Sequence, residues 1–267
     1  RSRSNSRSNS RSRGRSNSSY SDDDYDDYDD DCIAILKKIP LQLLFLEKLE
    51  GTLEDFLQSS EYSDETLLSC MYQVAFALSY LQRRYQFTHN DLHINNVMYQ
   101  STMSKYLYYK INNQYFRVPT YGKIFKIIDF GRAIFTFKGK TYLNDVFSRE
   151  GEAGGQYAYP HQVSFLKRDE KIKIQPNYHF DLCRLAMTIL DEIQTDQTSQ
   201  EILGFLKHLC KRRDNGSFCD MRDDFSLYIS IAKDACHSLP RDTVDHSIFR
   251  KYRIKKKLFP SKSFYTL

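Results

Sequence analysis

The chain has 267 residues, 39 Lys and Arg against 34 Asp and Glu for a net charge of +5, and 40% hydrophobic residues. That is enough apolar material for one large domain or two small ones, and no run of 18 apolar residues suggests a membrane span. Cysteines at 32, 70, 183, 210, 219 and 236 show no CxxC spacing, so they read as free thiols of a reducing, intracellular compartment, not as a disulfide framework or a zinc site.

Residues 1–31, "RSRSNSRSNSRSRGRSNSSYSDDDYDDYDDD", have no apolar period and read as a disordered low-complexity tract. The tract holds 6 Arg and 8 Asp, which leaves residues 32–267 with a net charge of +7. A mildly basic body suits an anionic ligand, although nucleic acid is not the expected partner.

Order is expected from Cys32, with "CIAILKK" and "LQLLFLEKL" as two strands separated by Pro40. Thr52 can cap a short helix, with Glu54 and Asp55 in its first turn. Ser63 caps a longer one, on which Leu67, Leu68, Met71, Val74, Ala75, Leu78 and Leu81 share a face. "NVMY" reads as a strand, "YLYYKINNQYFRV" as a hairpin turning at Asn112-Asn113, and "KIFKII" as a strand that delivers Asp129. Residues 132–178 lack periodicity and read as a long exposed segment. "FDLCRLAMTILDEI" and "SQEILGFLKHLCKRR" are helical, and the basic tail "FRKYRIKKKLFPSKSF" reads as a solvated helix end. This is an α+β order, with its chemistry at short strand ends.

That chemistry lies in "FTHNDLHINNVMY" and "KIIDFGRA". The first offers a carboxylate at Asp91 and an amide at Asn96, the second a carboxylate at Asp129 with Gly131 allowing a sharp turn. Phosphoryl transfer needs a carboxylate to orient an attacking hydroxyl and oxygen ligands to hold Mg²⁺ against phosphates.

H-x-D-x-x-x-x-N followed by D-F-G resembles the catalytic loop and metal motif of protein kinases. "LLFLEKLEGTLEDFL" resembles the last small-lobe strand, the hinge and the first large-lobe helix of that family. "NYHFDLCRLAMTIL" resembles the central large-lobe helix, whose Asp, here Asp181, braces the catalytic loop. The resemblance covers about residues 40–200. It is closest in look to the divergent kinase-like proteins of large DNA viruses, with haspin-like kinases as cousins.

The resemblance implies a protein-kinase-like fold: a mainly helical large lobe with short β hairpins over residues 49–267, and the last small-lobe strands and hinge at 32–48. It implies an ATP- and Mg²⁺-dependent phosphotransferase acting on Ser/Thr hydroxyls of a protein substrate. Asp91 becomes the catalytic base, Asn96 and Asp129 the metal ligands, and His89 a structural group under Phe130. Leu46, Glu47, Leu49 and Met98 become the nucleotide-binding positions. His93, where kinases often carry a Lys near the transferred phosphate, is a second catalytic candidate and reads equally as a packed histidine. Arg132 and Arg184 read as salt-bridge partners.

Asn90 stands in place of the usual Arg, and no Ala-Pro-Glu follows the D-F-G. No glycine-rich loop or strand Lys precedes the motifs, so the small lobe is expected to be mostly missing and the chain to be a fragment. Two other readings stay open: a pseudokinase or scaffold, and a small-molecule kinase that shares H-x-D-x-x-x-x-N.

Overall fold

The computed structural model describes residue 38 and residues 43–148, 150–157, 174–222, 224–261 and 263–267. The chain divides into two units, Arg1–Leu46 and Glu47–Leu267. In the first, Leu43, Leu44, Phe45 and Leu46 are 75–89% exposed and carry no regular structure. The strand expected over "LQLLFLEKL" therefore does not form at residues 43–49. A strand needs a neighbour for its N–H and C=O groups and a core for its apolar face; these leucines have no core. The other expected strand, "CIAILKK", lies outside the described residues apart from Lys38.

The second unit opens with β1 (Gly51–Thr52) and helix α1 (Leu53–Gln58). The expected cap is present in reciprocal form: Asp55 N–H donates to Thr52 Oγ1 at 3.1 Å and Thr52 N–H to Asp55 Oδ2 at 2.7 Å. Helix α2 (Asp64–Tyr85) starts at Ser63, whose Oγ accepts from Thr66 N–H, and stops where Gln86 turns left-handed at φ 49°. Its predicted apolar face is buried from Leu67 to Leu78.

Strand β2 (Val97–Ser101) pairs antiparallel with β1 and with β5 (Lys123–Ile127), giving the order β1-β2-β5. The expected hairpin is β3 (Tyr106–Ile111) with β4 (Gln114–Pro119), and Asn112 takes the positive φ of 51° that its turn requires. Tyr72 on α2 locks the helix to this hairpin. Its ring meets Tyr109 at 5.3 Å, Phe116 at 5.5 Å and Phe249 at 5.2 Å, each edge-on or tilted.

Two stretches depart from the sequence reading. The basic tail is more than a solvated helix end: it leaves a 3₁₀ helix (Ser247–Tyr252) for β8 (Arg253–Ile254), which pairs with β4, and just beyond it β9 (Tyr265–Thr266) pairs parallel with β3, so the sheet runs β8-β4-β3-β9. Tyr265 stacks on Tyr109 at 5.3 Å, which shows what the lysines mask in sequence. Aromatic anchors between the charges give the tail an edge to pair with. The segment after Arg132 is likewise not all exposed. Strands β6 (Phe135–Phe137) and β7 (Lys140–Tyr142) form a hairpin, and Ala133, Ile134, Phe147, Ala153 and Tyr157 are buried. Residues 158–173 of that segment lie outside the described residues.

Four helices follow: α3 (Phe180–Glu192), α4 (Gln200–Leu209), α5 (Phe225–Asp234) and the short α6 (Pro240–Thr243). The first two are the helices expected there. Helix α3 is buried along most of its length, from Phe180 through Ile189, and its N-terminal end supplies Asp181 to the site. Among the described residues no helix is long and apolar enough to cross a membrane.

Candidate active site

The loop between α2 and β2 is fixed from below by one buried carboxylate. Asp181, fully buried, accepts the backbone N–H groups of His89 and Asn90, each at 2.9 Å. Burial raises its pKa, because removing water penalises the charged form more than His89 and the two N–H donors favour it. This is the bracing role that the resemblance implied for Asp181.

His89 lies where expected, 5.6 Å from the Phe130 ring, with Nε2 2.8 Å from Ile128 O. A carbonyl only accepts, so Nε2 carries the hydrogen. Asn90 does more than occupy the place of an Arg. It takes φ 65°, a conformation Asn tolerates better than most side chains, and it is completely buried. Its Nδ2 donates to Thr88 O at 3.2 Å and Arg132 O at 3.0 Å, and its Oδ1 accepts from Tyr157. With the paired Thr88–Ile134 backbone bonds at 2.9 Å, Asn90 ties the loop of Asp91 to the loop of Asp129.

Asn96 makes the second tie. Its carbonyl accepts from Ile128 N–H at 3.0 Å, and the β2–β5 register sets Val97 opposite Ile127. Asp129 therefore emerges one residue beyond a direct bond to Asn96. The Asn96 Nδ2 donates to Asp91 O at 2.8 Å and lies 3.1 Å from His93 Nε2. One amide hydrogen is thus directed to the Asp91 carbonyl, and Asn96 Oδ1 has no hydrogen-bond partner among the described residues. That oxygen is left for a ligand.

Asp129 sits at φ 58°, in the left-handed region, and its Oδ1 accepts from Gly131 N–H at 3.2 Å. A Cβ at Gly131 would stand 3.2 Å from that same oxygen, so the glycine keeps the turn open around the carboxylate. Asp129 is exposed, while the Asp91 side chain is 24% exposed. His93 is drawn down in pKa by burial first, with the charges of Asp91 and Asp129 both opposing.

The structure thus brings Asp91, His93, Asn96 and Asp129 together, held by α3 and the β2–β5 pair. Two carboxylates and one free amide oxygen are a hard-oxygen set of the kind Mg²⁺ takes alongside phosphates and water. The positions expected to bind nucleotide are more scattered. Met98 is half-buried on β2, opposite Thr52 on one side and Lys126 on the other. Lys126 Nζ pairs with Glu47 Oε2 at 2.5 Å, which lowers the Glu47 pKa, so Glu47 and Met98 share one end of β5. Leu49 is half-buried, and Leu46, in the first unit, is 77% exposed.

Residues 32–150 match the family model described as "Protein tyrosine and serine/threonine kinase", a stretch that contains both motifs. The fold is α+β and protein-kinase-like. The chain is 28% identical over 114 residues to the serine/threonine-protein kinase haspin of Mus musculus and 29% identical over 114 residues to that of Bos taurus. Each alignment covers 43% of this chain, and the chain spans about 15% of the length of these curated relatives.

One site residue had no legible signal in sequence. Tyr228 on α5 donates to Asp91 Oδ1 at 3.0 Å from 137 positions away. Arg132 NH1 lies 3.8 Å from the same oxygen, which fits its reading as an ion-pair partner. Asn90 was visible as a departure from the kinase pattern, and its buried side chain is bonded to Thr88, Arg132 and Tyr157.

Proposed function

We propose that this protein is an ATP-dependent phosphotransferase of protein-kinase type that uses Mg²⁺ and transfers phosphate to Ser/Thr hydroxyls of a protein acceptor. The observation that carries this reading is the bonded path Asp91–Asn96–Ile128, which links the loop of Asp91 and Asn96 to the strand end that delivers Asp129. Asp91 would orient the acceptor hydroxyl and receive its proton, while Asn96 Oδ1 and Asp129 would hold the ion. When bound, the metal neutralises charge on the phosphate oxygens. His93 sits beside Asn96, with its Nε2 3.1 Å from the amide nitrogen. Glu47, Leu49 and Met98, with Leu46, are the candidate nucleotide contacts.

Ser/Thr as acceptor is supported by the similarity to the serine/threonine-protein kinase haspin of Mus musculus and Bos taurus. Kinship with kinase-like proteins of large DNA viruses rests on the Asp91-Leu92-His93 run alone. Residence in a reducing, intracellular compartment is supported by the packed thiols of Cys70, Cys183 and Cys210.

The test is incubation with γ-labelled ATP and Mg²⁺, supplying mixed protein acceptors in one arm and small alcohols and aminoglycosides in the other. Label is expected on Ser and Thr of protein, and only with the divalent ion. Label confined to the small molecules would assign the chain to small-molecule kinases. Metal-dependent nucleotide binding with no transfer in either arm would leave the scaffold reading.

A further inference from the structure

Helix α5 lies downstream of both motifs and outside residues 32–150. From it Tyr228 reaches back to the catalytic loop, and because a carboxylate only accepts, its phenol is the donor to Asp91 Oδ1 at 3.0 Å. The ring is held on several sides. Phe180 of α3 lies 5.8 Å away and Phe225 stacks at 6.1 Å. The guanidinium carbons of Arg184 and Arg132 lie 5.1 Å and 5.7 Å from the ring centroid. Arg132 directly follows the Asp-Phe-Gly, and it also approaches Asp91 Oδ1. One tyrosine therefore touches the base, the helix that braces the base's loop, and the loop that carries Asp129.

The χ2 torsion of an aspartate is broad and two-fold, so an unheld carboxylate presents either oxygen. Tyr228 and Arg132 fasten Oδ1 only. Oδ2 has no hydrogen-bond partner among the described residues, and the side chain keeps 24% exposure, so room for an acceptor hydroxyl remains. We propose that Tyr228 is a positioning residue for phosphotransfer, pinning Asp91 Oδ1 so that Oδ2 faces the acceptor. The proposal rests on the reading of Asp91 as the base. A tyrosine that instead blocked the base, or that was itself the acceptor, would share the 3.0 Å contact but behave differently.

Tyr228→Phe keeps the ring and its packing and removes only the hydroxyl. The expected result is a fall in kcat of about tenfold with the KM values for ATP and protein acceptor unchanged, the pattern of a misaligned group that binds neither substrate. Tyr228→Leu, which also loses the ring contacts, should fall further. In protein labelled with ¹³C at the tyrosine ζ carbon, the resonance assigned by its loss in Tyr228→Phe should move in Asp91→Asn, while other tyrosines stay in place. An unchanged or raised kcat in Tyr228→Phe would overturn the proposal, as would phosphate found on Tyr228 or an unmoved resonance. Absence of phosphotransfer by the wild-type protein would instead remove the kinase reading, and the positioning role with it.

Discussion

Asp91→Asn is expected to lower phosphotransfer by about 10²–10⁴-fold, the usual contribution of a positioned general base. The substitution is nearly isosteric. Asn retains an oxygen for the Tyr228 hydroxyl, and the backbone carbonyl of residue 91 still accepts from Asn96 Nδ2. The fold, the metal ligands and nucleotide affinity should therefore persist while proton acceptance is lost. Rates of label incorporation, together with KM for ATP, read this directly. A variant as fast as wild type would take Asp91 out of the reaction, whereas a variant with normal rate but weakened ATP binding would make it a binding group.

Asp181→Ala should destabilise the protein by on the order of 3–5 kcal/mol and abolish activity as well. Two buried backbone donors, His89 N–H and Asn90 N–H, would lose their only acceptor here, each at a cost of about 1–3 kcal/mol. The raised pKa of Asp181 shows that its charge is itself costly to bury, so part of the loss is offset. The orphaned donors still dominate, because Asp181 is completely buried and both N–H groups point at the position it vacates. Against a typical total of about 5–15 kcal/mol, such a loss is large. Asp181→Asn offers no clean rescue, since one of its two polar atoms would face an N–H as a second donor. Urea denaturation of the variants measures the effect. A midpoint equal to wild type would show that the loop stands without its brace.

Local chemistry was legible wherever the deciding interaction lay within a few residues. Thr52 with Asp55 and Ser63 with Thr66 close their helix ends over three positions, and Asn112 makes a turn of its own. The nearness of the two motifs was legible because Asp91 and Asn96 share one loop and Asp129 follows β5, which pairs back with β2. What could not be read depends on distant partners. Leu43 to Leu46 look like a strand until they are found 75–89% exposed. The tail reads as a basic surface until Tyr265 is found stacked on Tyr109. Tyr228, a plain tyrosine on an amphipathic helix, acquires meaning only from the 3.0 Å contact that its fold position creates.

The central claim is that side-chain oxygens from two separate loops serve one divalent cation. Anomalous diffraction from crystals grown with Mn²⁺ and ADP locates that ion without reference to activity. A single peak is expected about 2.1 Å from both Asn96 Oδ1 and an Asp129 carboxylate oxygen, with Asp91 facing the same cavity. Manganese bound elsewhere, or ADP bound with no ion between these two residues, would contradict it.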